Sequence, residues 1–183
     1  MNPLNPSPRF ASLAAAVTAA VGAVIQLTHE QSGESTTIGA VEHVAASMFS
    51  VMMLALIPAV AFLARRATGD VRPAIPVAVA GTALSVLGLS SNIMGEDASF
   101  FGFVAAPSLL VMLGSFTVIA VKGSRMGQVP KALAIGLPLM LVASISLSPL
   151  GGGLLAAGYW AALAAFAVRG EQRPAVEPVA ATA

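Results

Sequence analysis

The chain has no cysteine, which excludes disulfides, thiolate metal sites and cysteine nucleophiles. Charge is nearly as scarce: charged residues make up 9% of 183, against about 25% in soluble domains. With 57% hydrophobic residues beside them, the chain lacks the polar surface that water requires. Aromatic residues are only 5%, with one Trp and one Tyr. The two histidines are too few for a histidine-rich di-iron centre. There is no G-x-S-x-G, P-loop or H-E-x-x-H pattern, and "THEQSGE" does not have zinc spacing. A net charge of +1 gives no case for nucleic-acid binding.

Long apolar runs fill the space these absences leave. A spanning helix needs about 20 largely apolar residues. Six segments meet or approach this: Phe10–Leu27, Ile38–Ala64, Ile75–Met94, Phe100–Val121, Pro130–Leu147 and Leu150–Val168. The expected fold is all-α, a polytopic bundle of six transmembrane helices. The fifth segment is the weakest, because Pro138 interrupts it and Ser144, Ser146 and Ser148 dilute its end. Arg9 before an Ala-rich run suggests a signal peptide, but the run continues to Leu27 with no polar cleavage region, so it reads as a span. One domain, residues 10–169, is expected between tails 1–9 and 170–183, whose Pro and small residues predict disorder.

Orientation follows from the basic residues. Arg9 precedes the first span, Arg65, Arg66 and Arg72 lie between the second and third, Lys122, Arg125 and Lys131 between the fourth and fifth, and Arg169 and Arg173 after the sixth. With six spans all nine Lys and Arg share one side, which the positive-inside rule assigns to the cytoplasm. Both termini are therefore expected inside, in a bacterial plasma membrane.

The opposite side collects Glu30, Glu34, Glu42, Glu96 and Asp97, with His29 and His43 as the nearest titratable nitrogens. The plain explanation is that acids remain where basic residues are excluded, and it suffices for Glu34 and Asp97. Glu42 lies inside an apolar run, where an ionisable group is costly and usually faces the bundle interior. A helix N-terminus is the competing account of Glu42, because the macrodipole favours a carboxylate there. His43 shares a stripe with Ser47, Ser50 and Leu54. On the third span Thr82, Ser85, Leu89, Asn92 and Glu96 recur at helical spacing. Gln26, His29 and Glu30 share a face at the end of the first. Three helices thus bring polar groups to one depth.

A carboxylate there, with no Lys or Arg beside it, must be hydrated, paired with histidine or a cation, or protonated through burial. A buried neutral Glu is a potential general acid. Glu42 or Glu96 is the candidate acid and His43 its partner, with Gln26, His29, Glu30 and Asn92 as substrate-binding candidates. Helix–helix adhesion by small polar side chains explains the Ser and Thr equally well. Tyr159 and Trp160, mid-way along the sixth span, complete the substrate-binding set. They should find hydrogen-bond partners and floor an apolar cavity. Met48 and Met52 have the spacing of a soft-metal pair, but methionine also serves as adaptable filler. No metal or cofactor is called for. Pro58, Pro107 and Pro138 each free a carbonyl and allow a kink or hinge.

The "LTHE" that closes the first span, the histidine that opens the second and the run "ALIPAVAFLARRA" resemble small six-span membrane proteins of high-GC Gram-positive bacteria. The likeness covers the first third of the chain. In size and topology the chain is also similar to the integral-membrane terpene cyclases of bacterial meroterpenoid pathways. That resemblance implies a membrane enzyme that protonates an isoprenoid-like substrate taken from the bilayer, and it carries over no residue. The second expectation is a non-catalytic transporter, binding or accessory protein whose acidic rim admits an ion or proton. The nearly apolar inner half of each span favours the enzyme over a transport path.

Overall fold

The computed structural model describes residues 7–28, 39–96, 99–147 and 150–171, with side chains in the last stretch described to Val168. Among these residues the chain forms six helices: α1 (Pro8–Thr28), α2 (Ala40–Thr68), α3 (Ile75–Met94), α4 (Phe101–Met126), α5 (Lys131–Ser146) and α6 (Gly152–Glu171). A single 3₁₀ turn, Arg72–Ala74, leads into α3. The tails and the three segments 29–38, 97–98 and 148–149 lie outside the described residues, and with them His29, Glu30, Glu34 and Asp97.

The helix ends have local causes. Pro8 stands at the first position of α1, and the Ser7 hydroxyl accepts the Phe10 N–H at 3.2 Å, the usual side-chain cap. Pro8 and Arg9, assigned by composition to the N-terminal tail, are therefore helical. At the start of α2 the Glu42 carboxylate accepts the Gly39 N–H at 2.6 Å, satisfying a donor with no helical partner. α2, α3 and α4 stop at Gly69, Gly95 and Gly127, which have φ of 73°, 71° and 69°, a backbone region that glycine enters without a Cβ clash. Because these stops come late, α2 carries Arg65 and Arg66 in its last turn and α4 carries Arg125. Both helices thus extend beyond the apolar runs that mark them in the sequence.

The helices close into a ring in chain order, α1 packing on both α2 and α6, with α2 also reaching across to α4. Four stretches, α1, α2, Arg72–Met94 and α4, are long and apolar enough to cross a membrane. α5 and the apolar part of α6, Gly152–Val168, are shorter. Outward positions are apolar, as lipid contact requires: Ile93, Phe103 and Leu110 are 87%, 85% and 69% exposed.

Small residues set the closest approaches. A Cβ on Gly153 of α6 would sit 2.9 Å from the Ala23 Cβ of α1. One on Gly123 of α4 would sit 2.9 Å from the Ala67 Cβ of α2 and 3.4 Å from the Ala134 Cβ of α5. Backbones that approach so closely exchange bulk for packing, the usual basis of adhesion between membrane helices. The Gly123 contact draws α2, α4 and α5 together at the end where Arg65, Arg66, Lys122, Arg125 and Lys131 cluster.

Candidate functional site

At the other end the bundle opens around a cavity of about 470 Å³. Every helix contributes to its lining. α1 gives Thr18, Gly22 and Gln26; α2 gives Ala45, Phe49, Met52, Met53 and Leu56; α3 gives Leu84. α4 contributes Phe101, Ala105, Leu109, Met112 and Phe116, α5 Met140 through Ile145 on one face, and α6 Gly153, Ala156 and Trp160. The deep residues Trp160, Phe116, Met112 and Met53 are all buried, whereas Gln26, Phe101 and Ile145 at the helix ends are exposed.

Polar groups are few in this lining. Among the described residues they are Thr18, Gln26 and Ser144. The Thr18 hydroxyl donates to the Ala14 carbonyl at 2.8 Å and that of Ser144 to Met140 at 2.6 Å, so both hydrogens are held within their own helices. No carboxylate or histidine among the described residues lines the cavity.

The polar groups singled out in the sequence lie instead along the α2–α3 seam. His43 Nδ1 hydrogen-bonds Asn92 Oδ1, Asn92 Nδ2 donates to Ser47 Oγ at 2.9 Å, and Ser47 Oγ donates to the His43 carbonyl at 2.8 Å. Asn92 Oδ1 can only accept, so the bond fixes the proton on His43 Nδ1. Two turns further in, Ser50 and Ser85 each donate to the other's backbone carbonyl, at 3.2 and 3.1 Å. Both are buried. A Cβ on Gly88 would stand 2.7 Å from the Ser50 hydroxyl, so glycine is what admits the exchange. The seam is a ladder of interhelical hydrogen bonds, the adhesive role open to small polar residues in a span.

Not every member of the sequence stripes joins it. Leu54, Thr82, Leu89 and Glu96 are exposed. Glu42 is half-buried and occupied in capping α2, the role its position near a helix N-terminus suggested. The structure thus joins His43 to Asn92 and leaves both outside the cavity lining, along with Glu42 and Glu96.

Tyr159 and Trp160 separate in function, since neighbours on a helix point about 100° apart. Trp160 is 2% exposed and lines the cavity. Tyr159 turns to α5, donating its hydroxyl to the Leu133 carbonyl at 2.8 Å. Its ring lies against Gly136, where a Cβ would come within 3.2 Å. The two rings meet edge to face, centroids 5.2 Å apart at 83°, so Tyr159 holds Trp160 in place without lining the cavity itself. Of the methionine pair, Met52 lines the cavity and Met48 does not. Sequence reasoning missed the broad α4 wall. Its sequence, 101–116, is a plain apolar run that marks a span and does not mark which face is inward.

No protein family, curated protein or solved structure matches the chain.

Proposed function

We propose that the chain is a six-span protein of the bacterial plasma membrane, both termini cytoplasmic, that binds a hydrophobic small molecule in its outer half. The observation that carries this reading is the cavity. It draws walls from every helix, its lining is apolar, and its volume suits a small-molecule site. It is also blind. Toward the basic end Val60, Leu63, Ala64 and Ala67 are fully buried, and the Gly123 contact draws the helices together. A blind apolar cavity supports binding or an accessory role over conduction of an ion.

The cyclase-like alternative, with Glu42 or Glu96 as acid and His43 as partner, requires a proton donor against the substrate. The described lining offers none, so this alternative has the lesser support.

The test is direct. Protein purified from membranes and extracted with organic solvent should release a lipophile in near-stoichiometric amount by mass spectrometry. Gly22→Leu, which projects a side chain into the cavity, should abolish it. An identical extract from both proteins would sink the reading. For topology, reporter fusions after Gly127 and after Glu34 should report cytoplasmic and external locations respectively.

A further inference from the structure

The floor of the cavity holds a polar group that nothing uses. Among the described residues no atom accepts a hydrogen bond from the Trp160 indole N–H. No described buried side-chain nitrogen or oxygen lacks a partner, either. An unpartnered indole nitrogen must therefore keep some accessible surface, although Trp160 as a whole is 2% exposed. Trp160 is a lining residue of the cavity. Buried Trp ordinarily finds a partner for its N–H. A ligand that brings an acceptor to this point supplies the bond the protein leaves unmade.

Shape and charge narrow the ligand further. A sphere of 470 Å³ would be about 10 Å across, but the lining runs from Ala45 to Leu56 on α2, about 16 Å of helix. The space is elongated along the bundle. No Lys, Arg, His, Asp or Glu among the described residues lines it, and an ion without a counter-charge in such surroundings pays a heavy desolvation penalty.

We propose that the cavity takes an uncharged, elongated lipophile whose leading end carries a hydrogen-bond acceptor, a carbonyl or ether oxygen, met by the Trp160 indole N–H. This rests on the binding reading above and adds to it a ligand class and an orientation. The hydrocarbon trails past Met53 and Phe49 toward Gln26 and Ile145 at the helix ends. Met53 and Met112 near the floor are adaptable contacts that accommodate chains of differing branching.

Three probes of matched length test it: methyl undecyl ketone, tridecane and tridecanoate, each added to purified protein and scored by native mass spectrometry. The ketone should be retained about two- to tenfold better than the alkane, the range expected for one net hydrogen bond. The carboxylate should be retained at least about tenfold less than the ketone. Trp160→Phe should equalise ketone and alkane. Should that variant fail to fold, the native protein still decides, because the single tryptophan emission should shift with ketone and not with tridecane. Equal retention of ketone and alkane by the native protein, with no emission shift, overturns this inference and leaves the binding reading standing. Retention of no probe above the level of Gly22→Leu overturns both.

Discussion

The two ends of the bundle are built from the same stock of Ala, Gly, Leu and Met, yet one is shut and the other hollow. At the basic end Gly123 brings α4 against Ala67 and Ala134 with no room for a methyl group. At the acidic end the same helices present Phe49, Met52, Phe101 and Ala105, and the helices stand apart. Where both partners of a crossing are small, backbones meet; where large side chains take the corresponding places, the ring cannot close on itself. Closure is a property of pairs of residues, and the mean hydropathy of a segment is blind to it.

The sharpest way to break this comparison is to put bulk at the closed end. Gly123→Leu should cost at least about 1–3 kcal/mol through overpacking, seen as a clear fall in melting temperature in detergent. An unchanged melt would show that the basic end is not tightly closed. Next comes the α2–α3 seam. Gly88→Val should drive a side chain into the Ser50 hydroxyl and cost about 1–3 kcal/mol. Ser85→Ala in that background should add little, since the exchange is already lost.

Asn92→Ala removes the bonds to both His43 and Ser47. Interhelical bonds of this kind are worth about 0.6 kcal/mol each, rarely above 1.7, so a loss of about 1 kcal/mol is expected from unfolding in mixed micelles. A loss near zero would reduce the ladder to incidental contacts. Gly22→Leu sits on the other side of the comparison. A Cβ there meets nothing within 4 Å, and leucine is the better helix former by several tenths of a kcal/mol. The variant should fold at least as stably as the parent while losing bound lipophile. The smallest effect belongs to Glu42→Gln, which keeps the reach to Gly39 and gives up only the charge at the helix start, about 0.3–1 kcal/mol. Lipophile retention should be untouched, and a steep loss there would return Glu42 to the ligand's side.

Much of this was legible in the sequence, and the boundary of legibility is physical. Helices announce themselves through run length, but run length does not mark their ends: Pro8 fell in the expected tail, and α2 and α4 continue past Ala64 and Val121 to their glycine stops. The meeting of His43 with Asn92 was also visible as two polar groups at one depth on helices joined by a short connection. The cavity was harder to see. Polar residues suggested a polar site, but polar side chains within a span bond to one another, and the space left over is apolar. Which of Tyr159 and Trp160 would face it depends on the rotation of α6, set by Tyr159 against Gly136 of α5 and by Gly153 against Ala23 of α1. Such contacts join residues far apart in the chain, and no local pattern records them.

One wall of the cavity also sets a length. α5 has 16 residues, about 24 Å of helix, whereas the hydrocarbon layer of a bilayer is about 30 Å thick. In the six-span reading the membrane must thin beside this helix, at a fraction of a kcal/mol per Å of mismatch. Thinning at the outer end would bring lipid headgroups toward the rim where Ser144 and Ile145 border the cavity. Thicker bilayers would pull against α5, and ligand retention in vesicles should therefore fall as the acyl chains of the host lipid lengthen.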